Sequence, residues 1–168
     1  MDLEEPAQTG RGSTQRKRGR PEPTPVQRGL ALLVRREHSR TELARKLVER
    51  GIEREHVDEA VSRLAAEGWQ SDERFVEMLV RTRVSQGYGP VRIRAELRTH
   101  AIEGSGVGDA LEACECDWAR VAREQARRKF GEGLYTDLAL GRKAADFLYR
   151  RGFDGEMVRC ALRPGTGD

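Results

Sequence analysis

The chain has 168 residues, of which 37% are hydrophobic and 35% charged, and its formal net charge is +3. This balance leaves too little apolar material for one thick core and favours thin helical layers with long solvated faces. Aromatic residues make up only 5% of the chain, which argues against a sheet protein. No apolar stretch approaches the roughly 20 residues that span a bilayer, and no secretory signal is recognisable, so we expect a cytoplasmic protein.

The first 25 residues are rich in proline, glycine and polar side chains and contain almost no large apolar residues. Such a segment cannot bury enough surface to offset the entropy lost on ordering, so residues 1–25 are predicted to be a disordered basic tail. Its basic residues suit nonspecific phosphate contact, although a solubilising tail explains them equally well. Residues 164–168 are predicted to be a flexible C-terminus.

From residue 26 onward the apolar residues recur at helical spacing, beginning with Val26 and Leu30. Ser39 and Glu42 form an S-x-x-E pattern, which predicts a capping box at the start of a second helix. Gly51 is free to adopt the left-handed conformation that ends this helix.

Further helix starts are marked by capping residues. Ser71 and Asp137 are expected to cap helices through their side-chain oxygens. Gly89-Pro90 suits another helix start, because proline at the first helical position loses no hydrogen bond.

An internal repeat relates three stretches of the chain. Within each stretch, a pair of apolar residues lies one helical turn apart, another follows in the connection, and a second pair lies one turn apart on the next helix. This is the pattern of an αα-hairpin whose inner faces meet. The spacings recur at offsets of 50 and 51 residues, and the matched sets are Leu43, Leu47, Ile52, Val57 and Val61; Ile93, Leu97, Ile102, Val107 and Leu111; and Ala144, Leu148, Phe153, Val158 and Leu162.

Each hairpin follows another helix, so the chain is predicted to be all-α, with three tandem three-helix repeats. A single repeat is expected to be too small to bury its apolar faces alone, which predicts stacking into an elongated, curved helical rod. Ala101 stands where the other repeats have glycine, and glycines at 104, 106 and 108 weaken the last helix of the second repeat. The predicted repeats are residues 26–69, 70–115 and 116–163.

Positive charge is concentrated in two blocks. Residues 35–67 sum to zero, whereas residues 81–98 and residues 120–129 each carry five basic residues against one glutamate, hence +4. Such blocks suit a polyanion or an acidic protein groove, although a solvated helix face explains either block equally well. The candidate partner-binding residues are Arg81, Arg83, Tyr88, Arg92, Arg94, Arg98, Arg127, Arg128, Lys129, Arg142 and Lys143.

Three of these candidates receive a more specific expectation. Tyr88 is expected in an exposed turn, where it either anchors a partner or packs over the turn with Pro90. Reversing the charges of Arg92 and Arg94 together is expected to remove partner binding without changing the helical content.

No catalytic, metal or cofactor pattern is present in the sequence. The histidines lack metal-ligand spacing, and Cys114-x-Cys116 lacks a second ligand pair. The glycine-rich turns at residues 87–90 and 131–133 do not follow strands and lack the lysine and serine of a phosphate-binding loop. We therefore expect no catalytic residue, no cofactor, no metal, no small-molecule substrate, no membrane partner and no enzyme activity.

Three segments together resemble the bacterial RecX family. They lie within residues 36–51, which contain REHSRTEL; residues 72–97, which contain DERF and GYGPVRI; and residues 127–153, which contain RRKFG and RGF. The resemblance covers about residues 28–163. Ala101 and the segment from Gly104 to Gly108 depart from the family pattern.

Membership would imply a non-enzymatic regulator of the RecA recombinase in DNA repair and SOS control. Members of this family bind the helical groove of the RecA filament and limit its extension, recombination, ATP hydrolysis and coprotease activity. The resemblance thus implies the RecA filament as partner, with the single-stranded DNA inside it as a second contact. The residues also leave open a stand-alone DNA-binding helical-repeat protein acting through its basic patches, or a structural adaptor.

Overall fold

The computed structural model describes residues 22–163. Within this range the chain forms nine α-helices, one short 3-10 helix and no strand, which confirms the predicted all-α class. Of the predicted tails, residues 1–21 and 164–168 lie outside the described residues. The predicted N-terminal tail of residues 1–25 extends too far, because Thr24 caps the first helix and Pro25 is its first residue. The α-helices are α1 Pro25–Leu33, α2 Arg40–Val48, α3 Arg54–Ala66, α4 Asp72–Ser85, α5 Pro90–Thr99, α6 Ser105–Ala113, α7 Trp118–Phe130, α8 Leu138–Arg150 and α9 Gly155–Leu162, with the 3-10 helix at Glu132–Tyr135.

The nine helices form three modules: α1–α3 are module 1, α4–α6 are module 2, and α7–α9 are module 3. The extensive helix–helix contacts all lie within modules, and each module has a separate cluster of buried apolar side chains. The expectation that one repeat cannot bury its own apolar faces is therefore wrong. Each module closes around its own core, and Trp118 packs at the edge of two of the clusters.

The matched apolar positions of the repeat supply these cores. The two residues of each middle helix are fully buried, from Leu43 and Leu47 in module 1 to Ala144 and Leu148 in module 3. Among the residues in the connections, Phe153 is buried, whereas Ile52 and Ile102 are half-buried at the edge of their clusters.

Most of the predicted caps are present. Ser71 accepts a hydrogen bond from the backbone N–H of Arg74 at 3.2 Å, and Asp137 accepts one from Ala139 at 2.7 Å. Only the serine half of the capping box predicted at α2 forms: Ser39 Oγ accepts a hydrogen bond from the N–H of Glu42 at 3.0 Å. The Glu42 carboxylate instead accepts two hydrogen bonds from Arg36, at 2.5 and 3.0 Å.

The chain reverses after each middle helix through a residue in the left-handed region. Gly51 and Gly152 have φ values of 81° and 86°, as the repeat predicts. Ala101, at the equivalent position of module 2, has a φ of 58°. Because a Cβ is disfavoured in this conformation, Ala101 stores backbone strain that the two glycines avoid.

Neighbouring modules meet at two small junctions, one between modules 1 and 2 and one between modules 2 and 3. Among residues 22–163, the hydrogen bonds and ion pairs that cross modules join neighbours along the chain, and none joins module 1 to module 3. The junction of modules 2 and 3 carries a surface on which cationic side chains lie over aromatic rings.

Candidate partner-binding surface

Modules 2 and 3 are joined by main-chain hydrogen bonds between two turns. The N–H of Gly89 donates to the carbonyl of Arg151 at 2.8 Å, and the N–H of Val91 donates to the carbonyl of Gly152 at 3.1 Å. A Cβ atom at Gly89 would overlap the Gly152 carbonyl, and one at Gly152 would overlap Arg92. The Gly-Tyr-Gly-Pro turn therefore serves this close approach of two backbones as well as the start of α5.

Arg151 reinforces the same junction with its side chain. Its Nη1 donates to the carbonyls of Gln86 at 2.8 Å and Gly87 at 3.1 Å. These bonds hold the guanidinium beside the turn that carries Tyr88. The Arg151 carbon Cζ lies 5.1 Å from the centre of the Tyr88 ring and 4.9 Å from that of Phe147.

Further cations extend this arrangement at both ends. Arg92 lies over Tyr88 at 4.7 Å, and Lys129 lies over Phe147 at 4.3 Å. The series Arg92, Tyr88, Arg151, Phe147 and Lys129 thus alternates cations with aromatic rings, and we refer to it as the cation–aromatic ladder. All of these distances fall within the roughly 6 Å at which a cation is attracted to a ring face.

The ladder is accessible and uniformly positive. Arg92 and Lys129 are exposed, and the other three members are half-buried. Three cations and no carboxylate belong to it, so it has a charge of +3 from Arg92, Arg151 and Lys129. Guanidinium groups bind carboxylates and phosphates through paired hydrogen bonds, and half-buried aromatic rings offer apolar contact area to a partner.

Three of the residues suggested by the sequence, Tyr88, Arg92 and Lys129, belong to the ladder. Tyr88 therefore does more than pack over its own turn, because two guanidiniums lie against its ring.

Two other candidates are already ion-paired within the chain. Arg83 donates to Glu96 at 2.8 and 2.6 Å, and this pairing raises the pKa of Arg83 and lowers that of Glu96. Arg127 pairs with Glu132, to which its Nε donates at 2.6 Å. Because their charges are already compensated, we place Arg83 and Arg127 outside the candidate surface.

The remaining candidates are exposed but dispersed. Arg94 follows Arg92 by two residues, which turns its side chain about 200° around α5. Arg92 and Arg94 therefore do not form the single surface that the sequence suggests, and Arg98 lies with Arg94. On α8, Lys143 precedes Phe147 by one turn, so it shares the flank of the ladder. The others are exposed elsewhere: Arg81 on α4, Arg128 on α7 and Arg142 on a different flank of α8.

Two members of the ladder, Phe147 and Arg151, are not among the candidate residues that the sequence suggests. The sequence does contain a signal for Phe147. The repeat places the buried residues of α8 at Ala144 and Leu148, so the aromatic ring of Phe147 stands outside the predicted core positions. Nothing in the local sequence distinguishes Arg151 from its neighbour Arg150. Its role depends on the turn of another module.

Buried polar groups fill the other junction, between modules 1 and 2. Ser39 and His38 are almost fully buried, at 0% and 3% exposure. Ser39 Oγ is 2.8 Å from His100 Nδ1, and the side-chain amide of Gln70 donates to the His38 carbonyl at 3.3 Å.

Two buried titratable side chains of module 1, His38 and Glu42, lie near this junction and share Arg36 as a neighbour. Burial lowers the pKa of His38, despite a hydrogen bond to the Arg36 carbonyl and the nearby Glu42 carboxylate. Burial alone would raise the pKa of Glu42, but hydrogen bonds from Arg36 and the surrounding positive charges outweigh it and hold the pKa below its usual range.

Two of the three cysteines, Cys114 and Cys116, lie at the connection between α6 and α7, and Cys160 lies on α9. Cys114 Sγ is 3.0 Å from the Leu111 carbonyl, to which it donates. Cys116 packs at the edge of the module 3 core, and burial raises the pKa of its thiol to about 11. A thiol with this pKa is protonated at neutral pH and is a poor nucleophile.

Among residues 22–163, no group of three or more His, Cys, Asp or Glu side chains is arranged to hold a metal ion. In the same range no helix has the length and apolar character needed to cross a membrane. The fold and the ladder define the class of protein: a tandem helical-repeat protein with a cationic, aromatic surface.

Family models assign the chain more narrowly. The first, second and third three-helix domains of RecX match residues 26–64, 71–111 and 115–162 in that order. The chain belongs to the RecX family.

Individual relatives agree with this assignment. "Regulatory protein RecX" of Stenotrophomonas maltophilia (strain R551-3) is 55% identical over 92% of this chain and 95% of its own length. The protein of the same name from Xanthomonas axonopodis pv. citri is 54% identical over 97% of both chains. A crystal structure of RecX from Lactobacillus salivarius superposes with a TM-score of 0.65 at 20% identity, covering 82% of this chain and 94% of that one, and shows the same fold.

Proposed function

We propose that this chain is a non-enzymatic regulator that binds a RecA recombinase filament in the cytoplasm. By occupying the filament it limits filament assembly, ATP hydrolysis, recombination and coprotease activity, and so takes part in DNA repair and SOS control. The observation that carries the proposal is the cation–aromatic ladder, in a chain whose relatives are named regulatory proteins.

The chemistry of the ladder suits a filament groove. Its cations pair with acidic side chains of the filament or with phosphates of the enclosed single-stranded DNA. Its half-buried rings supply apolar area with little loss of side-chain entropy on binding.

The modular build suits the same partner. Because each module closes its own core, the modules present their solvated faces along the chain. Tandem modules spread a contact over a long surface, as is general for helical-repeat proteins. A filament offers repeated sites along its groove, so one chain contacts several protomers.

The direct test is to add the purified chain to RecA assembled on single-stranded DNA and to follow ATP hydrolysis. We expect hydrolysis to fall as the chain is added at micromolar concentrations. An unchanged rate would contradict the proposal.

The half-exposed rings flanked by cations also favour a second candidate, a stand-alone DNA-binding protein. That activity predicts binding to single-stranded DNA without RecA, with log K falling against log salt by about 0.7 per neutralised phosphate. Inhibition of RecA at salt concentrations that abolish binding to free DNA would favour the filament regulator. Tight DNA binding without an effect on RecA would favour the second candidate.

A further inference from the structure

Module 2 differs from its neighbours in leaving a groove between its first and third helices. In modules 1 and 3 small residues let these helices pack closely: Gly29 of α1 lies against Leu64, and the fully buried Ala122 and Ala126 of α7 face the core with α9. Helix α4 contains neither glycine nor alanine, and its contact with α6 is less extensive. Gly106 of α6 leaves open space where a side chain would stand.

The resulting groove has a volume of about 920 Å³ and an apolar floor. It shares none of its lining residues with the cation–aromatic ladder. It runs along α4 from Asp72 to Ser85, or roughly 20 Å at the helical rise of 1.5 Å per residue. The apolar residues of the floor are Val76, Val80, Val84, Ile102, Val107 and Ala110.

The rim of the groove is strongly acidic, although the whole chain has a net charge of +3. Five carboxylates and one guanidinium, that of Arg81, line it, which gives a charge of −4. Two of the carboxylates already accept hydrogen bonds: Asp72 from Arg40 and Gln70, and Glu73 from Ser71. The remaining three, Glu77, Glu103 and Asp109, have no ion pair or hydrogen bond among residues 22–163.

We propose that this groove binds an amphipathic, basic α-helix of a partner protein. The apolar stripe of such a helix would fill the floor between α4 and α6, and flanking lysines or arginines would meet Glu77, Glu103 and Asp109. The walls are helices, and the described residues contain no strand edge to which an extended peptide could add. The groove is therefore a second binding surface, opposite in charge to the ladder and independent of the proposed function.

The probe for this surface is a helical peptide of 16 residues with leucines on one face and lysines on both flanks. The control peptide has the same sequence with glutamate in place of each lysine. Titration into the full chain with labelled valine methyl groups should shift the signals of Val76, Val80 and Val84. We expect the acidic peptide to bind about tenfold more weakly or not at all, since like charges on a rim oppose association.

Matched variants test the charge and the shape of the groove separately. Glu77→Lys with Asp109→Lys should reverse the preference between the two peptides. Glu59→Lys with Glu112→Lys makes the same change in charge at exposed residues outside the groove and should leave the preference unaltered. Gly106→Leu should weaken binding of the basic peptide, because the new side chain occupies the open space.

Three results would overturn the proposal. One is the absence of any shift in the groove valines, and another is equal binding of both peptides. The third is a concentration-dependent dimer that Gly106→Leu abolishes and that the basic peptide does not displace, because the groove would then be a contact between two copies of this chain.

Discussion

Module 1 meets module 2 through buried polar side chains, whereas module 2 meets module 3 through main-chain hydrogen bonds between two turns. The first junction includes hydrogen bonds between the Ser39 hydroxyl and His100 and between the Gln70 amide and the His38 carbonyl. The second depends on backbone groups that do not titrate and on glycines that let two turns approach closely. The ladder is therefore built on the junction that is held by main-chain hydrogen bonds and by the close approach of two backbones.

The largest effect should come from breaking the junction of modules 2 and 3 with Gly152→Ala. The new Cβ would stand in the left-handed region and overlap Arg92. Backbone strain and overpacking together should lower the free energy of unfolding by about 3 kcal/mol. Urea denaturation followed by circular dichroism measures this loss.

Gly51→Ala is the matched control. Gly51 has nearly the same φ, at 81° against 86°, but nothing lies within 4 Å of the position of its Cβ. It should lose only about 1 kcal/mol, from backbone strain. Equal losses in the two variants would mean that close packing at Gly152 contributes nothing.

A smaller effect should be a dependence of stability on pH that arises in module 1. Because folding lowers the pKa of His38, the unfolded chain binds more protons, so stability should fall as pH decreases below about 6.5, the ordinary pKa of histidine. The pKa of Glu42 is also lowered, which adds a further loss at lower pH, below its ordinary value of 4.5.

His38→Gln should flatten the pH dependence of the urea midpoint between about pH 5 and 6.5. His56→Gln serves as the control, because His56 is exposed on α3. If the His38 variant retained the full pH dependence, protonation of His38 would not be what destabilises the folded chain below about pH 6.5.

Much of the fold is predictable from the sequence because it depends on local rules. The repeat spacing identifies the buried residues of the middle helices, such as Leu43 and Leu148, and short-range side-chain chemistry identifies the caps at Ser71 and Asp137. The capping box at Ser39 fails in its second half because Glu42 has a stronger, charged partner in Arg36.

The candidate surface is only partly predictable, because it is assembled by tertiary contacts. A basic block does not reveal which of its members are paired, so Arg83 and Arg127 look equivalent to Arg92 until Glu96 and Glu132 are placed beside them. The association of Arg151 with Tyr88 depends on two turns that are distant in the chain. The separate cores were also missed, because spacing shows which residues are buried but not whether neighbouring modules share a core.

The smallest predicted effect is a gain of stability beside the junction of modules 1 and 2. Ala101 follows His100 and has a φ of 58°. Ala101→Gly should relieve the strain of a left-handed alanine, partly offset by the greater entropy of the unfolded chain, and so add about 0.5 kcal/mol. Ala95→Gly, at an exposed position in the middle of helix α5, should instead lose about 0.5 to 1 kcal/mol. Denaturation midpoints of both variants check the opposite signs.

If the cation–aromatic ladder binds the partner, reversing two of its charges should remove that binding. Arg92→Glu with Lys129→Glu changes two exposed cations of the ladder, and Arg94→Glu with Arg98→Glu makes the same change on the other flank of α5. In the RecA ATP hydrolysis assay, the ladder variant should lose inhibition and the control should keep it, with unchanged helical content in both. Inhibition that survives the ladder reversal would show that the ladder is not the surface that binds the partner.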